Sequence, residues 1–192
     1  MITDIKGPGT GRKLTAGRKA MKLNIFLIAA VTLIGLTAGA AAQSATTLGN
    51  FKDWNAFVSN ASDGKLCFIA SQPTDSKYSK PVTGRDPAFF QITRIPTKNI
   101  QNEASSIVGY KFLANGEVTA DVEGAKFKMF LDASHPDTAW AEPDQETGLI
   151  EAMKKGTKLT LTGTSSRNTL VADSYSLSGI SAALDAMIKE CP

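Results

Sequence analysis

The chain has 192 residues, 42% of them hydrophobic and 20% charged, with 21 basic and 18 acidic residues and a formal net charge of +3. Six of the basic residues and one of the acidic residues fall within residues 1–42, so residues 43–192 hold 15 basic against 17 acidic and carry a net charge of −2. The basic character therefore belongs to the N-terminal segment, and this argues against nucleic acid as a partner bound through a broad basic field.

Residues 1–42 read as a signal peptide. Arg12, Lys13, Arg18, Lys19 and Lys22 form a basic region, residues 23–36 an apolar core, and Ala40-Ala41-Ala42 a small-residue cleavage site before Gln43. Met21 opens a complete leader of its own, which makes it a second reading of the true start. The competing reading is an uncleaved anchor, but the apolar run is near the lower limit for a span and is interrupted by Thr32, Gly35, Thr37 and Gly39. Cleavage leaves the leader as the only contact with membrane. Residues 43–49 are small and polar and are expected to be flexible, which leaves 50–192 as one domain.

In FKDWNAFVS the apolar residues Trp54, Ala56 and Val58 share one face of a predicted strand. Asp63-Gly64 is a turn signal, and residues 65–71 form the return strand. Cys67 and Ile69 lie on one side of it and Leu66, Phe68 and Ala70 on the other, the pattern of a strand covered on both faces. Residues 72–87 contain three prolines and scattered charge and read as a long loop. Lys77, Tyr78, Lys80 and Arg85 on it could form a recognition surface. Residues 88–95 are a strand stopped at Pro96. Residues 105–112 read as another, with Gly109 marking a bulge or a close backbone approach.

Residues 117–131 give the sharpest local expectation. Val118, Ala120 and Val122 alternate with polar residues, as do Phe127, Met129 and Leu131, on either side of Glu123-Gly124. A two-residue turn pairs Val122 with Ala125, Asp121 with Lys126, Ala120 with Phe127 and Val118 with Met129. Asp121 and Lys126 then make a favourable cross-strand charge pair. Residues 132–143 read as loop and hold the single histidine, His135, and Trp140. Asp144 is placed to cap a short helix near 144–155 with Leu149, Ile150 and Met153 inward and Gly156 at its C′ position.

The last 35 residues read as strand, turn, strand and helix. Leu159 and Leu161 alternate with polar neighbours; residues 164–168 are turn chemistry; Val171, Asp173, Tyr175 and Leu177 share a face. A carboxylate on that face must be satisfied, and Asp173 is expected to be a structural acid bonded to Arg167 or to backbone amides rather than a catalytic one. Ser178 is the expected N-cap of a helix near 178–190, on which Ile180, Ala183, Leu184, Met187, Ile188 and Cys191 form one apolar stripe. Cys67 and Cys191 are the only two cysteines. In an oxidising compartment they would most simply form one disulfide, closing a loop of more than a hundred residues, with two free buried thiols as the alternative.

Signals for chemistry are sparse. One histidine in a loop gives no nucleophile–base pair, there is no G-x-S-x-G elbow, and no ligand cluster points to a metal. There is no phosphate-binding glycine loop or dinucleotide fingerprint, hence no expected cofactor. TGTSSRNT offers hydroxyls and an arginine that could hold an anion.

The segments FKDWNAFVS, KLCFIASQP, RDPAFFQITRIP, IVGYKF, AKFKMF, MKKGTKLTLTGTSSRNT and DSYSLSGISAALDAMIKEC resemble, in order, the invasion associated locus B family of exported bacterial proteins. Asn168 stands where many relatives have glycine, a change a turn with positive φ tolerates. The resemblance implies a periplasmic, secreted or outer-envelope protein. The family is named for a link with host-cell invasion in some pathogens and looks widespread in bacteria that invade nothing. It brings no catalytic residues to this chain. Arg85, Asp86, Ser165, Ser166 and Arg167 match its motifs and are the candidate binding residues. The expected fold is mainly β, a sandwich or barrel-like antiparallel sheet with the two helices named above. The expected role is a non-enzymatic envelope interaction module whose partner is an envelope protein or surface component. A periplasmic hydrolase using acids such as Asp173, and a small-ligand carrier with a cavity between sheet and helix, are the alternatives.

Overall fold

The computed structural model describes residues 45–61 and 64–192; the leader and the first part of the Asp63-Gly64 turn lie outside them. The strands are β1 (Thr46–Phe51), β2 (Trp54–Ala61), β3 (Gly64–Ser71), β4 (Asp75–Tyr78), β5 (Phe89–Ile95), β6 (Ile100–Ile107), β7 (Val118–Val122), β8 (Ala125–Asp132), β9 (His135–Ala141), β10 (Lys158–Thr164) and β11 (Leu170–Ser176); the helices are α1 (Glu146–Lys155) and α2 (Ile180–Glu190). All pair antiparallel in one sheet, in the order β1-β2-β3-β5-β6-β9-β8-β7-β10-β11-β4. The fold is mainly β, as the alternation of apolar and polar residues demands.

Period-two patterning works strand by strand. Trp54, Ala56 and Val58 are buried on β2, and Val58 sits opposite Cys67 and Ala56 opposite Ile69 on β3. The β7–β8 hairpin has the expected register at Val122–Ala125, Asp121–Lys126, Ala120–Phe127 and Val118–Met129. Glu123 and Gly124 both have positive φ, as a primed turn requires. Asp121 Oδ1 accepts from the Gly124 N–H at 2.7 Å, so this carboxylate closes its own turn instead of serving Lys126.

The departures occur where local pattern is weakest. The stretch expected to be flexible is ordered from Thr46 onward as the edge strand β1. Residues 72–87 are not all loop, because β4 lies within them. The strand expected at 105–112 runs instead from Ile100 to Ile107, and residues 132–143 contain β9, paired with both β6 and β8. The outer face of β3 is half-buried; Phe68 stacks on Phe57 of β2 at 4.9 Å, so the two rings shelter each other without a covering layer. Gln145, not Asp144, is the N-cap of α1, and Gly179, not Ser178, that of α2; neither makes a side-chain capping bond. Gly156 ends α1 with φ −84°, outside the left-handed region expected at C′; a Cβ there would press on Val122. Ile188 is 40% exposed and drops out of the α2 stripe, whose buried members are Ile180, Ala183, Leu184 and Met187.

Among the described residues β1 and β4 each have one strand neighbour only, so these strands do not close the sheet into a barrel. It folds back on itself instead. Phe90 on β5 meets Tyr175 on β11 edge to face at 5.8 Å, and the Trp54 indole N–H on β2 donates to the Ser176 carbonyl at 3.0 Å. The buried faces of the two halves enclose a common apolar core, closed by α2 over β1–β3 and by α1 over β6 and β7. At the N-terminus of α2 the fit is tight. Gly179 has φ +96°, and a Cβ there would lie 1.9 Å from the Phe51 carbonyl oxygen, so only glycine lets the β1–β2 turn touch the helix.

Cys67 and Cys191 form a disulfide across 124 residues of sequence, with Cα atoms 6.1 Å apart. Two polar contacts reinforce it: Lys65 pairs with Glu190, and Arg94 Nε donates to the Cys191 carbonyl. The end of the chain is thereby fixed to β3 and β5.

Candidate functional site

After β3 the chain leaves its neighbours and crosses to the far edge of the sheet. There β4 pairs with β11, setting Ser76 opposite Asp173 and Tyr78 opposite Val171. The chain then returns through residues 79–88 to enter β5 beside β3. These residues form a strap joining the two halves of the folded sheet, and they are the stretch that sequence patterning leaves as loop.

Arg85 fastens the strap. Its Nη1 and Nη2 donate to the two carboxylate oxygens of Asp173 at 2.8 and 2.5 Å, and its Nε donates to the Val108 carbonyl at 2.7 Å. Nη1 also reaches the Ser76 hydroxyl at 3.2 Å and the Tyr78 hydroxyl at 3.1 Å. The guanidinium lies 5.2 Å from the Tyr110 ring centre and 5.9 Å from that of Tyr78. Burial works against the charge on Arg85, but its hydrogen bonds to Asp173 and Tyr78, with the negative charge of Asp173, outweigh this and hold the guanidinium protonated beyond its ordinary range. Asp173 also accepts from Ser76 at 2.7 Å and is 1% exposed. It is a structural acid, as expected, but its partner is Arg85, not Arg167. With both oxygens engaged and no access to solvent, it cannot act as a general acid or base, which removes the hydrolase reading built on it.

Backbone contacts lock the next residue. The Asp86 N–H donates to the Gly109 carbonyl at 3.2 Å, and Gly109 has φ +68° with its missing Cβ facing the Asp86 carbonyl at 2.0 Å. Gly109 is thus a close backbone approach, not a bulge in a strand. Residues 111–113 run beside the β10–β11 turn. Ser166 N–H donates to Lys111 O, Leu113 N–H donates to Thr164 O, each at 2.8 Å, and Phe112 bridges Ser165. Within the turn, the Ser165 hydroxyl accepts the Thr169 N–H at 3.2 Å, and Asn168 has φ +55°, the conformation in which a glycine would also fit.

Strap, 108–112 segment and turn together enclose a cavity of about 340 Å³. Arg85, Ser165, Ser166 and Arg167 line it; Asp86 does not. Arg85 is consumed by the ion pair, and Ser165 is buried in the turn. Ser166 and Arg167 are exposed, and the Arg167 side chain has no partner among the described residues. Sequence reasoning missed Tyr110 and Lys111, which face the same cavity. Their signals were the neighbouring Gly109 and their place in the family-like segment IVGYKF.

Tyr110 and Tyr175 both lie near enough to the ion pair to feel its charges. Burial first, and then the negative charge of Asp173, raises both hydroxyls above the ordinary tyrosine range. A raised folded-state value means that the folded protein keeps a proton the unfolded chain gives up near pH ~10. Stability should therefore be intact below that pH and fall as pH rises through and beyond it. Phenolate absorbance should show Tyr110 and Tyr175 titrating only as the fold is lost; ionisation of all three tyrosines near pH ~10 in a folded protein would contradict this.

Elsewhere the geometry offers less. His135 opens β9; its Nδ1 lies 2.9 Å from the Ser134 hydroxyl, which bonds Asp132 at 2.8 Å. Here serine lies between acid and imidazole, whereas a nucleophilic triad needs the imidazole in the middle. A groove of about 650 Å³ runs between residues 112–119 and β8, with Glu117, Lys128, Asp132 and Glu142 on its walls. Neither this groove nor the strap cavity lies between sheet and helix. No group of three or more metal-ligating side chains occurs among the described residues, and no helix among them is long and apolar enough to cross a membrane.

Residues 54–188 match the family model described as invasion associated locus B (IalB) protein. Among solved structures, the chain is similar to the crystal structure of invasion associated protein b from Bartonella henselae, with a TM-score of 0.52 and 14% identity, covering 76% of this chain and 97% of that one. No curated protein matches the sequence.

Proposed function

The chain belongs to the invasion associated locus B family, and from this premise we propose that it acts in the periplasm or outer envelope as a non-enzymatic interaction module, with the mouth of the strap cavity as its contact surface. The observation that carries the reading is convergence. Motif residues 85 and 165–167, far apart in sequence, line one cavity and leave Ser166 and Arg167 facing solvent. A disulfide closing the whole domain suits an oxidising compartment. The rigid strap suits recognition, since a preformed surface loses little entropy on binding. The partner is an envelope protein or surface component, and host-cell invasion would be one setting for it in pathogenic relatives.

The test is site-directed photo-cross-linking in intact cells. A photoreactive residue replacing Ser166 should give a reproducible adduct with one envelope component, and the same residue replacing Lys158 on β10, away from the cavity, should not. No adduct from position 166, or identical adducts from both positions, would reject the cavity mouth as the contact surface.

A further inference from the structure

Taking the cavity mouth as the contact surface, we propose that the cavity receives a small organic anion, a carboxylate or phosphate head on an apolar body, held between Lys111 and Arg167. The charge inventory is the first argument. Three basic residues and no acidic residue line the cavity, although residues 43–192 carry more acidic than basic side chains. Asp173 cancels Arg85 within the wall, so the remaining field is set by Lys111 and Arg167. Neither of these side chains has a partner among the described residues. The larger groove, by contrast, sets three carboxylates against one lysine, a net negative lining that opposes an anion.

Position is the second argument. The hydrogen bond from the Ser166 N–H to Lys111 O fixes the two cationic residues on adjoining backbone segments at one rim. The Ser166 hydroxyl on that rim can donate to an anion. Tyr78, Tyr110 and Val82 line the same cavity and offer ring faces and aliphatic surface; Tyr78 is 39% and Val82 40% exposed. Cationic groups and apolar surface in one cavity select a ligand charged at one end and apolar at the other. A volume of about 340 Å³ is at the small end for ligand cavities, so the occupant is a small molecule or the acidic end of a chain.

The experiment titrates the oxidised full chain with benzoate, phenyl phosphate and uncharged benzyl alcohol, followed by amide chemical shifts. At least one anion should saturate with shifts centred on Gly109, Lys111, Ser166 and Arg167, and which one saturates assigns the carboxylate or the phosphate head. Lys111→Gln and Arg167→Gln should each weaken that binding by about tenfold, the scale of one charge-assisted hydrogen bond, with unchanged urea midpoints. Benzyl alcohol binding as tightly, neither anion saturating, or shifts that survive the double substitution would each overturn the proposal. If the anions fail while the adduct from position 166 persists, the contact surface stands and only its ligand class is wrong; if the adduct is also absent, both fail.

Discussion

Arg85→Ala should destabilise the protein by about 3 to 5 kcal/mol, the cost of leaving one member of a buried ion pair without the other. Surface screening does not reduce this much, because the Arg85 side chain is 11% and that of Asp173 1% exposed. Alanine at position 85 would leave the Asp173 carboxylate with the Ser76 hydroxyl but no cation, and would free the Val108 carbonyl. Asp173→Ala should cost a similar amount from the opposite side. Arg85→Met combined with Asp173→Leu should recover a large part of the loss, since a buried pair replaced by apolar groups is often close to neutral. Urea unfolding of the four proteins checks this. A loss below about 1 kcal/mol for either single substitution would show that the strap is not held by the pair. Arg167→Ala, on an exposed turn, should stay within about 0.5 kcal/mol of the parent. The two motif arginines therefore separate: Arg85 is built into the fold, and Arg167 is the one left available for the contact proposed above. The expectation that both serve binding alike does not fit a guanidinium so fully engaged.

Reduction of the Cys67–Cys191 disulfide should cost about 2 to 5 kcal/mol. Its closed loop is long, so most of the effect comes from the greater freedom of the unfolded chain. Native-state contacts should change little: Lys65–Glu190 and Arg94 with the Cys191 carbonyl still position the last turn of α2. Cys67→Ala with Cys191→Ala should thus give a folded protein of native circular dichroism and lower urea midpoint. Intact mass before and after reduction and alkylation reports the bridge directly. An unchanged midpoint in the double variant would mean that the unfolded chain is already held compact by other contacts.

How much of this the sequence reveals depends on how local the cause is. The β7–β8 register follows from two alternating runs and a Glu-Gly turn. The inward Cys191 follows from an i, i+3, i+4 stripe that buries Ile180, Ala183, Leu184 and Met187 with it. The strap does not follow from pattern. β4 is four residues long, has no alternation of its own, and owes its existence to an open edge on β11 nearly a hundred residues later. Asp173 was legible as a buried acid needing a partner, but the choice of Arg85 over the nearer Arg167 depends on that long-range pairing. β9 was hidden for a related reason. His135, Pro136 and Asp137 are poor strand formers, held extended because His135 sits opposite Asp132 on β8 and the Pro136 and Asp137 carbonyls accept from the Phe112 and Val108 N–H groups.

The order in which the parts meet bears on when the fold can close. β4 waits for β11, Cys67 on β3 waits for Cys191, and the β1–β2 turn must await Gly179 at the start of the last helix. A ribosome releasing this polypeptide from its N-terminus delivers these clasps late, so hairpins such as β2–β3 and β7–β8 can pair early while the sheet cannot fold shut until β11 and α2 are made. In a chain exported as proposed above, such delay would keep the polypeptide loose enough to thread a translocation channel and would postpone tight closure until it reached a place where sulfur can be oxidised.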